Sequence, residues 1–249
     1  MSALLTAEGL TKSYGGVRAA DNVSFSLEPG EIVALIGPNG AGKTTCFKML
    51  SGQIEPDSGH VFIGERETTG LPPRDIYRLG VGRTFQITET FASMTVRENV
   101  QVALLSHHRA LHNFYSFAPR AYRAEAERIL GFAGIADKAG RPGAELAYGD
   151  LKRLELAIAL AGEPRLLLMD EPTAGMAPGE RTVLMRLVVQ LARERTMGVL
   201  FTEHDMDIVF EHAQRILVLD RGAIVAEGLP EEVRRNEHVR AIYLGGAAA

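Results

Sequence analysis

A glycine-rich stretch, residues 37–44, has the composition and spacing of a segment that holds a chain of phosphates. It follows an apolar run at 32–36 and fits G-x-x-x-x-G-K-[ST], a pattern in which backbone N–H groups turn toward phosphate oxygens. The helix that begins after it adds partial positive charge at its N-terminus. Lys43 is predicted to bridge the β- and γ-phosphates of a nucleoside triphosphate, and Thr44 to offer its hydroxyl to Mg²⁺. The predicted nucleotide-binding residues of this stretch are Gly37, Pro38, Asn39, Gly40, Ala41, Gly42, Lys43, Thr44 and Thr45.

Two adjacent carboxylates, Asp170 and Glu171, follow the apolar run 166–169 and are candidates for a hydrolytic centre. The carboxyl end of a buried parallel strand opens into a crevice, where Asp170 can hold Mg²⁺ from the side opposite Thr44. Glu171 then lies one residue further into the crevice, where it can orient or deprotonate an attacking water. Taken alone, the two acids are also compatible with a strand that ends in solvated side chains. The phosphate-binding pattern favours the catalytic interpretation.

A third apolar run, at 198–202, is followed by Glu203 and His204. If this strand is parallel to the other two, its carboxyl end opens into the same crevice. We therefore expect the His204 imidazole to contact the γ-phosphate or the attacking water.

The elements that must carry these residues are short apolar runs at 23–27, 32–36, 61–63, 166–169, 199–202 and 216–219. Residues 180–195 follow a helical period, with apolar side chains on one face. Strands that alternate with helices predict an α/β fold with a largely parallel sheet, covered on both faces. The first runs lie too close together for crossover helices, so a small antiparallel portion is expected near the N-terminus. A β-hairpin is predicted around residues 220–222.

Composition argues against several classes of protein. The 249 residues are 46% apolar and 23% charged, which is ordinary for a globular protein and argues against disorder. A formal net charge of −4 gives no electrostatic footprint for nucleic acid, and the single cysteine rules out an internal disulfide. No apolar run approaches the roughly 18–20 residues of a membrane helix. The first residues also lack the pattern of a signal peptide, so any role at a membrane is expected to be peripheral.

The three motifs, in this order and with a helical insert between the first two, resemble those of the ATP-binding cassette (ABC) ATPases. The resemblance covers about residues 4–245. Within the family, the chain is similar to the LivG-type ATPases of branched-chain amino acid importers. This narrower resemblance is carried by Arg-Thr-Phe-Gln at 83–86, Leu-Ala-Tyr-Gly at 146–149, Ala-Gly-Met at 174–176, Glu-His-Asp-Met at 203–206 and the ending at 226–245.

The resemblance implies an α/β P-loop NTPase fold, with a RecA-like core, an N-terminal antiparallel β portion and an inserted helical subdomain. A single domain is expected over residues 1–249. Its nucleotide-binding core would comprise about 1–88 and 162–227. The helical subdomain would comprise about 89–161, where the strand pattern fades and Ala, Arg, Glu and Leu dominate. Residues 228–249 would form a C-terminal extension of the branched-chain amino acid importer type.

The resemblance also assigns roles to particular residues. Tyr14 is expected to stack on adenine. Gly149 lies in the stretch 146–150, which occupies the place of the family's signature sequence and would contribute to the ATP site of a partner subunit. The expected catalytic residues are Glu171, His204 and Gln86. The residues expected to hold Mg²⁺ are Thr44, Gln86 and Asp170.

The function implied by the resemblance is that of the ATP-binding and ATP-hydrolysing subunit of an importer. Its solutes would be branched-chain or other hydrophobic amino acids, or related small molecules. The expected partners are a second ABC ATPase subunit, either homologous or another copy, two transmembrane permease subunits and, indirectly, a periplasmic or extracellular solute-binding protein. No nucleic acid is expected. The expected location is the cytoplasmic face of the bacterial inner membrane.

Other functions stay open at this point. The chain could serve a related ABC system for urea, amide or aromatic-acid import, or for lipopolysaccharide export. A non-transport ABC ATPase is less favoured, because such proteins generally carry long coiled-coil inserts or two cassettes. A P-loop kinase is disfavoured because Glu171 directly follows Asp170, which suits activation of water, and GTP is disfavoured because no N-K-x-D motif occurs. The sequence does not name the solute.

Four residues depart from the pattern of the resembled family. Ala147 lacks the hydroxyl of the signature serine, Tyr148 replaces a glycine, and Ala177 stands where many cassettes have an aspartate. Asp150 replaces the usual glutamine or glutamate. We expect Asp150 to cap a helix that begins near Leu151 rather than to face the nucleotide.

Two further signals are weaker. Cys46 follows the phosphate-binding stretch, where a helix N-terminus can lower a thiol pKa and make it reactive. A buried, apolar role for Cys46 is favoured over this alternative. The cluster His107, His108 and His112 contains a pair spaced for metal binding, but no further ligand pattern lies near it, so a metal site is not favoured.

Overall fold

The computed structural model describes residues 3–84, 90–108 and 122–244. Within these ranges the strands are β1 (Leu5–Tyr14), β2 (Val17–Leu27), β3 (Ile32–Ile36), β4 (Ser58–Ile63), β5 (Arg66–Glu67), β6 (Val81–Thr84), β7 (Leu166–Asp170), β8 (Gly198–Thr202), β9 (Arg215–Asp220) and β10 (Ala223–Gly228). The helices are α1 (Lys43–Leu50), α2 (Pro73–Arg78), α3 (Val96–His107), α4 (Arg123–Phe132), α5 (Tyr148–Leu160), α6 (Pro178–Arg195), α7 (Met206–His212), α8 (Pro230–Arg235) and α9 (Glu237–Leu244). The predictions for Gln86 and His112 lie outside the described residues.

Six strands form the main sheet, in the order β10-β9-β3-β8-β7-β6. Five of them are parallel, and β10 pairs antiparallel with β9 at the edge. The carboxyl ends of the neighbouring strands β3, β8 and β7 therefore meet at one edge of the sheet. Each of the three motifs directly follows one of these strands, so the topology brings the motifs together.

The main sheet is buried on both faces, as the sequence pattern predicts. All residues of β3 are buried, and they alternate between two hydrophobic clusters. Ile32, Ala34 and Ile36 pack with residues of α3 to α7 on one face. Val33 and Leu35 pack with α1 and the N-terminal strands on the other face. Successive side chains of a strand point to opposite faces, so two-sided burial requires an unbroken apolar run.

Four strands form a second, antiparallel sheet in the order β2-β1-β4-β5, which confirms the expected antiparallel portion. The run of residues that forms β1 is not among the apolar runs that predict strands. Its apolar residues are separated by Thr, Glu, Gly and Lys, and its buried positions alternate irregularly with exposed ones. Register shifts in its pairing with β2 and β4 account for this irregular pattern.

Arg215 on β9 joins the two sheets through one side chain. Its guanidinium bonds to both carboxylate oxygens of Glu31, with Nε–Oε1 at 2.7 Å and Nη2–Oε2 at 2.9 Å. It also donates to the Ser26 carbonyl oxygen on β2 at 2.6 Å, and to Glu227 on β10. The bonds to Glu31 raise the pKa of Arg215. The bidentate pair with Glu31, which directly precedes β3, fixes the guanidinium at the main sheet, and from there Arg215 reaches Ser26 of the other sheet.

The predicted hairpin is present between β9 and β10, where Asp220 lies opposite Ala223. Arg221 and Gly222 form its turn, with φ angles of 45° and 86°. Positive φ at both central residues is what a type I′ turn requires. The predicted helix at 180–195 corresponds to α6.

In the described part of the chain between β6 and β7, the helices α3, α4 and α5 pack against one another. α3 begins with a capping box, in which Thr95 Oγ1 accepts from the Glu98 N–H at 3.2 Å and Glu98 accepts from the Thr95 N–H at 2.7 Å. Among the described residues, every helix is too short or too polar to span a bilayer.

Candidate functional site

The loop between β3 and α1 lies against the backbone of two strands, and two glycines make this possible. Gly42 has a φ of 106°, and a Cβ there would lie 2.0 Å from the Ala19 carbonyl oxygen on β2. A Cβ on Gly37 would lie 2.1 Å from the Leu219 carbonyl oxygen on β9. Any other residue would push these backbones apart. The loop is therefore wedged between β2 and β9.

Lys43, the first residue of α1, folds back into this loop. Its ammonium donates to the carbonyl oxygens of Gly37 at 2.7 Å and Pro38 at 3.1 Å, and the residue is 7% exposed. Burial lowers the pKa of Lys43, and the attraction of the Glu171 and Asp170 carboxylates partly opposes this effect. The structure thus brings the predicted cation and both predicted carboxylates into one crevice.

Thr202 at the end of β8 holds the two acids that follow β7. Its hydroxyl donates to Asp170 Oδ1 at 2.8 Å and accepts from the Glu171 N–H at 2.9 Å. Asp170 is 4% exposed, and Arg83 Nη2 lies 4.0 Å from its Oδ2. Glu171 has a φ of 49°, a left-handed conformation that is strained for a residue with a side chain. Such strain persists only where the surrounding contacts fix it, as Thr202 does here.

His204 reaches Glu171 from the end of β8. Its Nε2 lies 2.8 Å from Glu171 Oε1, and the imidazole is 48% exposed, compared with 17% for the Glu171 side chain. The turn that carries His204 is anchored by Glu203, which is buried and accepts from both the N–H and the hydroxyl of Thr173, at 2.8 and 2.6 Å. The arrangement places a carboxylate and an imidazole side by side at the opening of the crevice, where both can bond to a water.

The crevice fits a phosphorylated ligand with a hard cation. At Gly40, φ is 80° and no atom lies within 4 Å of the position that a Cβ would take, so open space borders the loop backbone. Thr44 is exposed at the start of α1, and Asp170 contributes a buried carboxylate. Hydroxyl and carboxylate oxygens are the ligands that hard divalent cations prefer.

Tyr14 ends β1 at the tip of the first hairpin and is 49% exposed. It lies opposite Val17, across a turn made by two glycines. β2 then leads to Ala19, the residue whose carbonyl borders Gly42. The hairpin therefore carries an uncovered aromatic ring on the strand pair that borders the loop, and such a ring is available for stacking.

Gly149 is the second residue of α5, which begins at Tyr148. It is buried against α6, and a Cβ there would lie 3.0 Å from the Glu180 carboxylate. Ala147 precedes the helix and makes no side-chain cap. The first N–H groups of α5 therefore carry partial positive charge toward whatever approaches this end of the helix.

The structure corrects the expected role of Asp150. Because α5 begins at Tyr148 rather than near Leu151, Asp150 lies inside the first turn and is not the cap. Its Oδ2 instead accepts a bond from Lys138 Nζ at 2.5 Å. An acid in the first turn still interacts favourably with the helix dipole, but the partner that holds it comes from an earlier 3-10 turn, Ala136–Lys138.

Cys46 is fully buried beneath the antiparallel sheet, among the residues of α1 and the N-terminal strands. Burial raises the pKa of its thiol to about 12. A neutral, inaccessible thiol is not a nucleophile at physiological pH. The alternative of a reactive thiol is wrong, and the favoured role of a small buried residue is correct.

The histidines at the end of α3 take part in aromatic contacts. The His108 ring stacks on Tyr122 with centroids 4.6 Å apart, and its Nε2 lies 3.6 Å from Glu125. The His107 and His108 rings meet edge to face at 5.1 Å. In the part of the chain that the structure describes, no group of three His, Cys, Asp or Glu residues could hold a metal ion.

Two residues that support the site, Thr202 and Glu203, are not predicted from the sequence. Thr202 is the polar end of an otherwise apolar run, and that position next to β7 is the signal that could have found it. Glu203 stands out in the sequence only as the neighbour of His204. Its bonds to Thr173 join residues 30 apart in the chain, and no local pattern indicates them.

The chain matches the family model described as ABC transporter over residues 20–174. The chain belongs to the ABC transporter family. Residues 223–249 of this cassette match a second model, described as branched-chain amino acid ATP-binding cassette transporter. The cassette is 41% identical to the high-affinity branched-chain amino acid transport ATP-binding protein LivG of Salmonella typhimurium, over 98% of both chains.

Solved cassettes share the fold. The ADP conformation of MJ1267, an ATP-binding cassette of an ABC transporter, has a TM-score of 0.87 and 30% identity, covering 98% of this cassette and 100% of that chain. A dimeric, post-hydrolysis state of the cassette MJ0796, bound to ADP and Pi, has a TM-score of 0.78 and 26% identity, covering 91% and 98%. The predicted fold class is confirmed. The cassette binds nucleotide and is an ATPase.

Proposed function

We propose that this ATPase drives the import of branched-chain or other hydrophobic amino acids, or of related small solutes. The match of residues 223–249 to the branched-chain amino acid model is the observation that carries the solute class. The 41% identity to the LivG protein, over 98% of both chains, supports it.

In the proposed mechanism, Lys43 holds the terminal phosphates. Its ammonium exchanges the carbonyl oxygens of Gly37 and Pro38 for oxygens of the β- and γ-phosphates. The backbone N–H groups of the loop and the N-terminus of α1 face the remaining phosphate oxygens. Tyr14 stacks on the adenine from the neighbouring hairpin.

Glu171 is the proposed general base. It accepts a proton from water as the water oxygen attacks the γ-phosphorus, and the bond from phosphorus to the oxygen of the leaving ADP breaks. His204, 2.8 Å from Glu171, holds the water and the γ-phosphate in line. Thr202 keeps Asp170 and Glu171 at a fixed spacing while this happens.

Thr44 and Asp170 are the proposed ligands of Mg²⁺ among the described residues, and Gln86, which lies outside them, is the third. When bound, the ion neutralises the charge that develops on the phosphates. The Arg83 guanidinium, with Nη2 4.0 Å from Asp170 Oδ2, lies beside the proposed ligand carboxylate.

We infer that a second cassette, either another copy or a homologous partner, completes each ATP site. Gly149 and the uncapped N-terminus of α5 would face the γ-phosphate that the partner holds. Two large apolar side chains at this end of α5 and α6 are exposed, Tyr148 at 44% and Val183 at 50%. A paired state would cover them.

Replacing Asp150 with glutamine is expected to leave the KM for ATP within about twofold of the wild-type value. The carboxylate is held by Lys138, so the change should lower the free energy of unfolding by about 1 kcal/mol or less. Lys138→Gln is the matched control, and we expect the same small loss. Thermal unfolding and ATPase rate against ATP concentration measure both. A several-fold drop in KM for Asp150→Gln alone would mean that Asp150 faces the nucleotide.

A groove of about 530 Å³, bordered by α2, β6, α3 and α5, is the proposed contact with a membrane permease. Ile76 and Val81 contribute apolar lining. Arg74 and Arg78 lie at its rim and share one carboxylate, Asp75, so the rim keeps excess positive charge. We propose that a short permease helix with an acidic residue docks here, which would place the ATPase at the cytoplasmic face of the inner membrane.

The test is transport by the assembled system in vesicles. The cassette is combined with its partner ATPase, two permease subunits and their solute-binding protein. Leucine, isoleucine or valine should stimulate ATP hydrolysis and accumulate in the vesicles, because hydrolysis is coupled to the solute that the system carries. Stimulation by urea, amides, aromatic acids or lipopolysaccharide, and by no aliphatic amino acid, would contradict the proposed solute class.

The same vesicles test the groove. Arg78→Glu should abolish the stimulation by solute while the isolated cassette keeps its basal ATPase activity, because a reversed charge repels the acidic helix. Arg66→Glu, an exposed change on β5, is the control and should keep the stimulation. Normal stimulation of Arg78→Glu would rule out the groove without affecting the proposed solute.

A further inference from the structure

The proposed catalytic pair is carried by two loops whose following helices lie side by side. Segment 171–177 joins β7 to α6 and begins with Glu171, and turn 203–205 joins β8 to α7 and contains His204. The 2.8 Å contact between the two side chains depends on how these loops are placed. Near the strands, the bonds from Thr173 to Glu203 fix that placement.

Arg181, the fourth residue of α6, fixes the far ends of the same loops. Its Nε donates to the Met176 carbonyl oxygen at 2.7 Å, and its Nη1 donates to Asp205 Oδ2 at 2.9 Å. The side chains of Arg181 and Asp205 are 30% and 28% exposed, so solvent screens the pair less than a fully exposed one. The planar guanidinium can hold both acceptors at once, which a single ammonium does poorly.

Asp205 passes this restraint on to its neighbour, His204. Its Oδ1 accepts from the N–H groups of Asp207 at 3.1 Å and Ile208 at 3.5 Å, and so caps α7. Its other oxygen faces Arg181. Both carboxylate oxygens are therefore engaged, and the residue next to His204 has little freedom to shift.

We propose that Arg181 is a positioning residue for ATP hydrolysis, which holds segment 171–177 against turn 203–205 so that His204 meets Glu171. The proposal rests on the roles proposed above for Glu171 and His204. At the far end of segment 171–177, the Met176 carbonyl oxygen makes the contact with Arg181. The side chain of the next residue, Ala177, has no polar group that could make it. A displacement of about 1 Å at a catalytic group can cost about 100-fold in rate, so a modest slip between the loops matters.

Arg181→Leu is expected to lower kcat for ATP about tenfold or more and to change KM less than about twofold. KM should stay near the wild-type value because the phosphates bind to a different loop, the one between β3 and α1. Arg181→Lys should recover part of the rate, since one ammonium can still bond to Asp205. The control is Arg186→Leu: Arg186 also joins α6 to α7, through Glu211 at 3.0 Å, but it is 69% exposed and touches neither loop. Its kcat should stay at the wild-type value.

A double variant tests whether Arg181 acts through Asp205. Asp205→Asn should also lower kcat, and combining it with Arg181→Leu should cost little more than Arg181→Leu alone, because the two residues act as one unit. Thermal unfolding of each variant reports on the fold. If Arg181→Leu does not fold, the milder Arg181→Lys and Asp205→Asn variants carry the test.

Two outcomes would overturn the inference. A wild-type kcat for Arg181→Leu would remove it, and an equal loss for Arg186→Leu would mean that Arg181 only packs one helix on the other. Glu171→Gln, measured alongside, separates this failure from that of the proposed function. If Glu171→Gln is inactive while Arg181→Leu keeps its rate, only the positioning role fails. If Glu171→Gln keeps its rate, the proposed base itself is wrong.

Discussion

Replacing Glu171 with glutamine should lower the rate of ATP hydrolysis about 100-fold or more, because removal of a positioned general base costs that much. The amide has nearly the same size and can still bond to His204, which lies 2.8 Å away, but it cannot take a proton from water. Lys43 and the phosphate-binding loop are unchanged, so ATP should still bind. A paired, ATP-bound form should then accumulate. Single-turnover hydrolysis, equilibrium binding and size-exclusion chromatography with ATP measure the three effects.

Glu163→Gln provides a matched control for this change. Glu163 has a φ of 46°, close to the 49° of Glu171, but it is exposed ahead of β7 and lies outside the crevice. Replacing it tests whether losing a glutamate from a left-handed position is harmful in itself, and we expect a wild-type rate. Hydrolysis by Glu171→Gln at a comparable rate would show that another group takes the proton.

Replacing Lys43 with alanine should weaken ATP binding about 10- to 100-fold, the range expected when a charge-assisted hydrogen bond is lost. The residue is only 7% exposed and its ammonium is surrounded by the loop, so no other side chain can easily take its place. Hydrolysis should fall with occupancy. Calorimetric titration with ATP and with ADP gives the dissociation constants directly.

Lys48→Ala, on the exposed side of the same helix, is the control and should bind ATP normally. Lys43→Arg keeps the charge but not the shape, and we expect intermediate affinity because the guanidinium is too wide for the two carbonyl oxygens that the ammonium now contacts. Circular dichroism verifies that the loop variants remain folded. An unchanged dissociation constant for Lys43→Ala would refute the assignment of this loop.

The sequence alone predicts those elements whose structure depends on residues close together in the chain. The phosphate-binding loop depends on glycines at fixed spacing, and the strands β3, β7 and β8 are unbroken apolar runs because both faces of the sheet are covered. In a parallel sheet the carboxyl ends of the strands lie at one edge. For this reason the fold class and the meeting point of the motifs could be predicted.

The contacts that the sequence does not predict are those between distant residues. Nothing near Asp150 indicates that Lys138 binds it, and placing the start of α5 one turn too late makes this aspartate look like a cap. Cys46 lies on a face of α1 that is buried because the antiparallel sheet covers it. The sequence of α1 alone does not indicate this cover. The bonds of Arg181 likewise depend on the packing of α6 against α7.

The Arg215 junction has a consequence for which ligands the cassette can accept. The proposed stacking ring, Tyr14, belongs to one sheet, and the phosphate-binding loop belongs to the other. Arg215 joins Ser26 of one sheet to Glu31 and Glu227 at the other, and the Ala19 carbonyl of the hairpin lies against Gly42 of the loop. The distance between ring and loop is therefore set by the protein before any ligand arrives. The site therefore selects nucleotides by length. A nucleotide whose base and phosphates are separated by this fixed distance makes both contacts, and any other loses the contact at its base or at its phosphates.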